Sequence, residues 1–171
     1  VPTVHIWFLK SIPSKLSYLL GYTTKQLESL TYYEKYVIIN PGKSDFKQGD
    51  LIEEDEFLDL DEEFGIDAVT EEEKDNDDYF QAYMGGRGVL ELLKTLDIEK
   101  TIDELSAIVN DKKTSANKKE DALKRLRILK NFDPRIEREL LNKPEWMVIK
   151  VLPVIPPELR PLVPLDGGRF A

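Results

Sequence analysis

Cysteine is absent from the 171 residues, and His5 is the single histidine. The first absence removes disulfides, thiolate zinc sites and cysteine nucleophiles together. The second means that a Ser-His-Asp triad or a histidine-based metal site would have to rest on one imidazole. Long apolar runs are missing too: none approaches the roughly 20 residues of a membrane-spanning helix. No N-terminal signal pattern is visible. The start, Val1-Pro2-Thr3-Val4, lacks an initiator Met and the end, Gly167-Gly168-Arg169-Phe170-Ala171, lacks a stop-like tail, so the expectation is a piece of something longer.

What is present is a globular mixture, 41% hydrophobic and 33% charged, long enough to bury a real core as one domain or as one body with an appendage. The formal net charge of −9 argues at face value against a polyanion partner. Its distribution says otherwise. Sixteen of the 33 acids lie between Asp50 and Asp78, where Lys74 is the only base, a net of −15. The remainder holds 23 bases and 17 acids, a net of +6. The chain is mildly basic with one acidic insert.

Periodicity and punctuation give the element plan. Pro13 and Ser14 open a short helix with Leu16, Leu19 and Leu20 on one side, and Gly21 closes it. Thr23 and Gln26 have capping-box spacing for a second helix carrying Leu27 and Leu30. Tyr36 to Ile39 reads as a strand ending at the Pro41-Gly42 turn, with Leu51-Ile52 as a short return strand. Within the acidic run, Phe57, Leu60 and Phe64 have helical spacing, and Thr70 and Glu73 repeat the capping-box signal. Tyr79, Phe80, Tyr83 and Met84 follow before Gly85-Gly86 interrupts.

Val89, Leu92, Leu93 and Leu96 define one inward helix face, and Ile102, Leu105, Ile108 and Val109 another. A polar, lysine-rich loop from Asp111 to Lys119 leads to the stripe Ala122, Leu123, Leu126, Leu129 and Phe132, which predicts an antiparallel helical hairpin ended by Asp133-Pro134. Trp146 to Leu152 reads as a strand. Pro153, Pro156, Pro157, Pro161 and Pro164 are half of the chain's 10 prolines and mark a stiff, extended track.

Several residue groups invite a functional reading. Asp59, Asp61 and Glu63 alternate as in a calcium loop, but Phe64 stands where that loop needs glycine, so a solvated acidic face is expected. Nothing places two carboxylates opposite one another for acid–base work. Gly85-Gly86-Arg87-Gly88 lacks the spacing of a nucleotide fingerprint and is expected to be a flexible lead-in to a helix starting near Val89. His5, beside Trp7 and Phe8, is expected to pack or cap, and Lys112, Lys113, Lys118 and Lys119 to form a solvated loop that could touch phosphates. The ending, Leu165-Asp166-Gly167-Gly168-Arg169-Phe170, joins a turn signal to a cation and an aromatic ring. Either a plain hairpin turn or a nucleic-acid-facing tip fits those residues, since Arg pairs with phosphate and Phe can stack or wedge.

At these residues the chain resembles a known family. Asn142-Lys143-Pro144-Glu145-Trp146-Met147 and the run from Val151-Leu152-Pro153 through Leu165-Asp166-Gly167-Gly168-Arg169-Phe170-Ala171 closely resemble the bacterial RNA polymerase beta-prime subunit. His5-Ile6-Trp7-Phe8-Leu9-Lys10-Ser11 with Pro13-Ser14, and Tyr32-Tyr33-Glu34-Lys35-Tyr36-Val37, match it in the same order. The resemblance is weakest over residues 44–80.

The resemblance implies a piece of the clamp that closes over DNA, with Leu165, Asp166, Gly167, Gly168, Arg169 and Phe170 as the start of the lid loop at the upstream edge of the RNA–DNA hybrid. It implies no catalytic residue and no cofactor in this piece, the parent's magnesium and zinc ligands lying outside it. Implied partners are the beta, alpha and omega subunits, sigma factor, the DNA template and the hybrid, with no membrane, in a cytoplasmic, nucleoid-associated enzyme. The expected fold is α+β and helix-dominated, with the helical hairpin and a small antiparallel sheet of Tyr36–Ile39, Leu51–Ile52 and Trp146–Leu152. The expected segments are 1–43 (clamp helices and first strand), 44–84 (acidic, variable insert), 85–143 (helical hairpin region), 144–164 (strand and proline track) and 165–171 (lid). Two rival readings are an acidic interaction module for a basic partner, discriminated by a pull-down independent of polymerase subunits, and a carboxylate hydrolase, which needs two acids converging in one cleft.

Overall fold

A computed structural model describes residues 1–76, 78–111, 114–136, 141–162, 164–165 and 169–170. The chain starts with β1 (Thr3–Val4), α1 (Ile6–Leu9), α2 (Lys15–Leu20) and α3 (Thr24–Thr31). Local chemistry sets these ends. Ser14 Oγ accepts from the Ser17 N–H at 3.3 Å to start α2, and Gly21 stops it at φ 82, in the left-handed region. Thr23 and Gln26 form the reciprocal capping box of α3, as their spacing predicts.

β2 (Tyr36–Asn40) comes next and pairs antiparallel with β3 (Leu51–Ile52). The acidic stretch folds as α4 (Glu54–Phe64) and α5 (Glu71–Asp75), the latter opened by the Thr70–Glu73 capping box. The chain then returns as β4 (Gln81–Tyr83) on the other edge of β2, with Val37 opposite Tyr83 and Ile38 opposite Ala82. Three helices follow, α6 (Gly85–Thr95), α7 (Ile98–Asn110) and α8 (Ala116–Leu129), then β5 (Val148–Ile149), which pairs antiparallel with β1. β6 (Pro164–Leu165) and β7 (Arg169–Phe170) pair antiparallel at the end. Among the described residues no helix is long and apolar enough to cross a membrane.

Strand periodicity of two divides the molecule. Val37 on β2 is buried in the main core with the leucines of α2, α3, α6 and α8, and Ile39 and Leu51 pack there too. Ile38 and Ile52 point the other way, into a small cluster with Phe80 and Ala82 covered by Tyr36, Phe57, Leu60 and Phe64. One face of the β3-β2-β4 sheet therefore belongs to the helical body, and the other carries the acidic lobe. α7 and α8 form the expected hairpin, burying Ile102 and Leu105 against Ala122, Leu126 and Leu129. The Arg125 guanidinium donates from Nε to the Tyr18 carbonyl at 2.9 Å, tying α8 to α2.

The α+β, helix-dominated class with its hairpin and small sheet is what the sequence pattern implies, but the sheet's membership differs. Trp146–Leu152 is not its third strand; β4 is. Pro144 fixes φ at the first position of a 3₁₀ turn (Pro144–Met147), and the Trp146 N–H bonds back to the Lys143 carbonyl at 3.1 Å. Only Val148–Ile149 is then extended, and it joins β1 in a separate two-stranded ladder. The overlooked signal for β4 is alternation: Phe80 and Ala82 are buried, whereas Tyr79, Gln81 and Tyr83 are partly exposed.

The Gly85–Gly88 segment is also corrected. It is the first turn of α6 rather than a flexible lead-in, and position 86 needs glycine there because a Cβ would lie 2.1 Å from the Pro2 carbonyl oxygen. Glycine lets the amino-terminal segment lie directly on the helix. Lys118 and Lys119 stand in the first turn of α8 rather than in a loop, while Lys112 and Lys113 lie outside the described residues. Ile108 and Leu123, expected inward, are 39% and 44% exposed.

Candidate functional site

The C-terminal tip is reached through the β1–β5 ladder. Thr3 stands opposite Ile149 and Val4 opposite Val148, and the His5 N–H donates to the Met147 carbonyl at 3.0 Å. His5 itself caps α1, its Nδ1 accepting from the Trp7 N–H at 3.2 Å, which is the packing-or-capping role its surroundings predict. Two exposed tryptophans, Trp7 and Trp146, flank this junction, and neither stood out in the sequence as a surface residue.

Beyond Lys150 the chain leaves the body. Every residue from Val151 to Leu162 is exposed, including Val151, Leu152, Val154, Ile155, Leu159 and Leu162. Prolines supply the stiffness, since they hold φ and offer no N–H to a ladder. One 3₁₀ turn (Pro157–Leu159) bends the track; Arg160 steadies it by donating from Nε to the Ile155 carbonyl at 2.8 Å and from its N–H to the Pro157 carbonyl at 3.1 Å. Contiguous apolar exposure of this kind is uncommon on the surface of a monomeric protein.

The track ends in an antiparallel backbone ladder with Pro164 opposite Phe170 and Leu165 opposite Arg169. That is a hairpin backbone, in keeping with the turn signal. Asp166, Gly167 and Gly168 lie outside the described residues. The structure therefore puts the backbones of Leu165, Arg169 and Phe170 side by side at the far end of a stiff arm.

The other candidate groups resolve into structural roles. Asp59, Asp61 and Glu63 all lie on α4, where alternate positions diverge around the helix, and among the described residues no group of three His, Cys, Asp or Glu side chains could hold a metal ion. The chain has no cysteine, so a thiolate zinc site cannot be built from it. Glu73 and Glu120 are held below the ordinary carboxylate range. Lys43, hydrogen-bonded to Glu73, holds that carboxyl at about 2, with Thr70 adding two further hydrogen bonds, and Lys124 lowers Glu120. A cleft of about 540 Å³ near the start of α7 contains Asp97, Glu99 and Glu145. Asp97 is occupied in capping the Lys100 N–H at 3.0 Å, and Glu145 lies 3.8 Å from Lys150.

Tyr22 is displaced upward, its phenol pushed to about 12 by burial and by Asp50, while its hydroxyl donates to the Gly49 carbonyl. It joins the loop before β3 to the body. The acidic lobe also holds a groove of about 270 Å³ between α4 and β4, lined by Phe57, Asp61, Ile66, Tyr79, Phe80 and Tyr83 among others. No local pattern announces it, because its walls come from both ends of the insert.

Comparison with known proteins follows the whole chain. The family described as RNA polymerase Rpb1, domain 1, matches residues 1–171. A DNA-directed RNA polymerase subunit beta′ from Azobacteroides pseudotrichonymphae is 46% identical over 172 residues, covering 100% of this chain and 12% of that protein. The subunit of the same name from Parabacteroides distasonis is 47% identical over 176 residues, with 100% and 12% covered. That from Shewanella loihica is 42% identical over 170 residues, with 99% and 11% covered. The chain thus spans about 12% of the length of the curated relatives it matches.

Proposed function

Because the chain belongs to the RNA polymerase Rpb1, domain 1 family, in its bacterial beta-prime branch, we propose that it builds part of the clamp of a DNA-directed RNA polymerase and carries the start of its lid. In this reading residues 1–43, 85–143 and 144–164 are the clamp body with its arm, 44–84 are an acidic, variable excursion, and 165–171 open the lid. The observation that carries it is identity of 46% along the entire chain, tip included.

The physical division of labour follows. Nucleotidyl transfer, with its magnesium and the enzyme's zinc, belongs to residues outside this chain. Here the body supplies a rigid mount. The proline track projects the tip without the entropy a flexible linker would have to lose on ordering. At the tip, Arg169 offers a planar cation for phosphate or base, and Phe170 a face to stack on or wedge against the upstream base pair of the hybrid. The partners are the beta, alpha and omega subunits, sigma factor, DNA template and RNA–DNA hybrid, in the cytoplasm at the nucleoid. The exposed apolar track is a surface for the rest of that assembly to cover.

The test uses the assembled enzyme carrying Arg169→Ala and Phe170→Ala together. Transcript displacement and hybrid length should change while single-nucleotide addition persists. Hybrid length and displacement identical to the parent enzyme would remove the lid assignment.

A further inference from the structure

We propose that the aromatic groove of the acidic lobe seats an arginine side chain from a basic peptide segment. This goes beyond the clamp reading and does not depend on it. The groove is a product of the fold: the Phe80 N–H bonds the Phe64 carbonyl at 2.8 Å, drawing the approach to β4 against the end of α4. Phe57 is held in the wall by its stack on Tyr36, with ring centroids 4.0 Å apart and planes 3° from parallel.

Three observations select the occupant. First, four aromatic residues, Phe57, Tyr79, Phe80 and Tyr83, and the carboxylate of Asp61 share the lining, a composition that suits a planar, weakly hydrated cation able to stack and pair at once. Second, outside the groove, the Arg87 guanidinium carbon lies 4.1 Å from the ring centroid of Tyr83, so an aromatic ring of this lobe already accepts a guanidinium. Third, the surrounding charge is overwhelmingly negative, −15 between residues 50 and 78. Lys35 and Lys43 reach in from outside that stretch to pair with Glu53 and Glu73, showing how the lobe draws cations, yet they offset only two of those charges. The field extends to the groove's neighbour: burial, then Glu54 and Asp61, raises the Tyr36 phenol above its ordinary value. A basic segment is steered by the lobe's charge and anchored by the groove. Ile66, 47% exposed, gives the lining an apolar side chain open to solvent.

The test is a fluorescence anisotropy titration of the assembled enzyme, free of nucleic acid, with a short fluorescein-labelled arginine–serine peptide. Two variants remove one charge each: Asp61→Asn in the groove and Glu72→Gln on exposed α5. Asp61→Asn should weaken binding by about fivefold or more and Glu72→Gln by less than about twofold, and replacing arginine by lysine in the peptide should weaken it by a similar about fivefold. Equal weakening by the two variants, or equal binding of the lysine peptide, would show diffuse charge alone and overturn the proposal. Self-association of the enzyme on analytical ultracentrifugation that Asp61→Asn abolishes and Glu72→Gln leaves intact would give the groove to a second copy and overturn it as well.

Discussion

The two faces of the β3-β2-β4 sheet support unlike structures. On one side, eighteen buried side chains among the described residues, most of them leucine and valine, interlock helices α2, α3, α6, α7 and α8 with β1 and β5. On the other, four buried side chains sit beneath a partly exposed aromatic layer, and the helices above them are held by capping boxes and surface ion pairs. Burial scales with apolar area removed from water, whereas exposed ion pairs contribute about 0–1 kcal/mol each. The lesson is a gradient of stability. The body should open only with the whole unit, and the lobe should open alone at lower free energy.

The largest effect should come from the body. Leu129 is 0% exposed, and Leu129→Ala should cost about 2–5 kcal/mol, raising hydrogen exchange in α2, α6, α7 and α8 together. Exchange confined to α8 would break the picture of one cooperative core. Phe57→Ala comes next: losing a half-buried ring and its stack on Tyr36 should cost about 1–3 kcal/mol and loosen α4, β3 and β4 alone. Spread of that loosening into α7 and α8 would merge the two regions into one.

The smallest effect is electrostatic. Glu73's folded-state pKa is lowered from its ordinary 4.5 to about 2, first by Lys43 and then by Thr70. A depressed carboxylate stabilises the fold above its unfolded pKa, and that contribution fades as pH falls from about 4.5 towards 2. The pair is solvent-exposed, so the effect should be small and screened by salt. Lys43→Met should move the Glu73 titration upward, followed by carboxyl NMR, while exchange in the helical body stays unchanged. A Glu73 titration unmoved by that substitution would deny Lys43 its role.

The same contrast explains what could be read in advance. Ser14, Gly21, Thr23–Gln26 and Thr70–Glu73 act within one turn of chain, so their spacing alone announced the helix ends. The hairpin was legible from the stripes Ile102–Leu105 and Ala122–Leu126–Leu129. β4 was not, because its partner β2 lies more than forty residues earlier and a three-residue strand carries little pattern of its own. Gly86 likewise looked like a loop glycine until Pro2 came to rest on it. At the tip, the turn composition agreed with the pairing of Leu165 and Arg169, while the choice of family rested on a long string of matching residues rather than on periodicity.

By itself the sequence determined both ends of α2, the starts of α3 and α5, the split of charge into −15 and +6, the stiffness of the proline track and the family. These are local or additive properties, and no partner in space is needed to specify them. Only the tertiary structure decided which strand completes the sheet, why Gly86 must be glycine, and that the two ends of the acidic insert meet in an aromatic groove. Those outcomes depend on contacts between residues far apart in the chain, and such contacts exist only once the main core has fixed where each segment starts and returns.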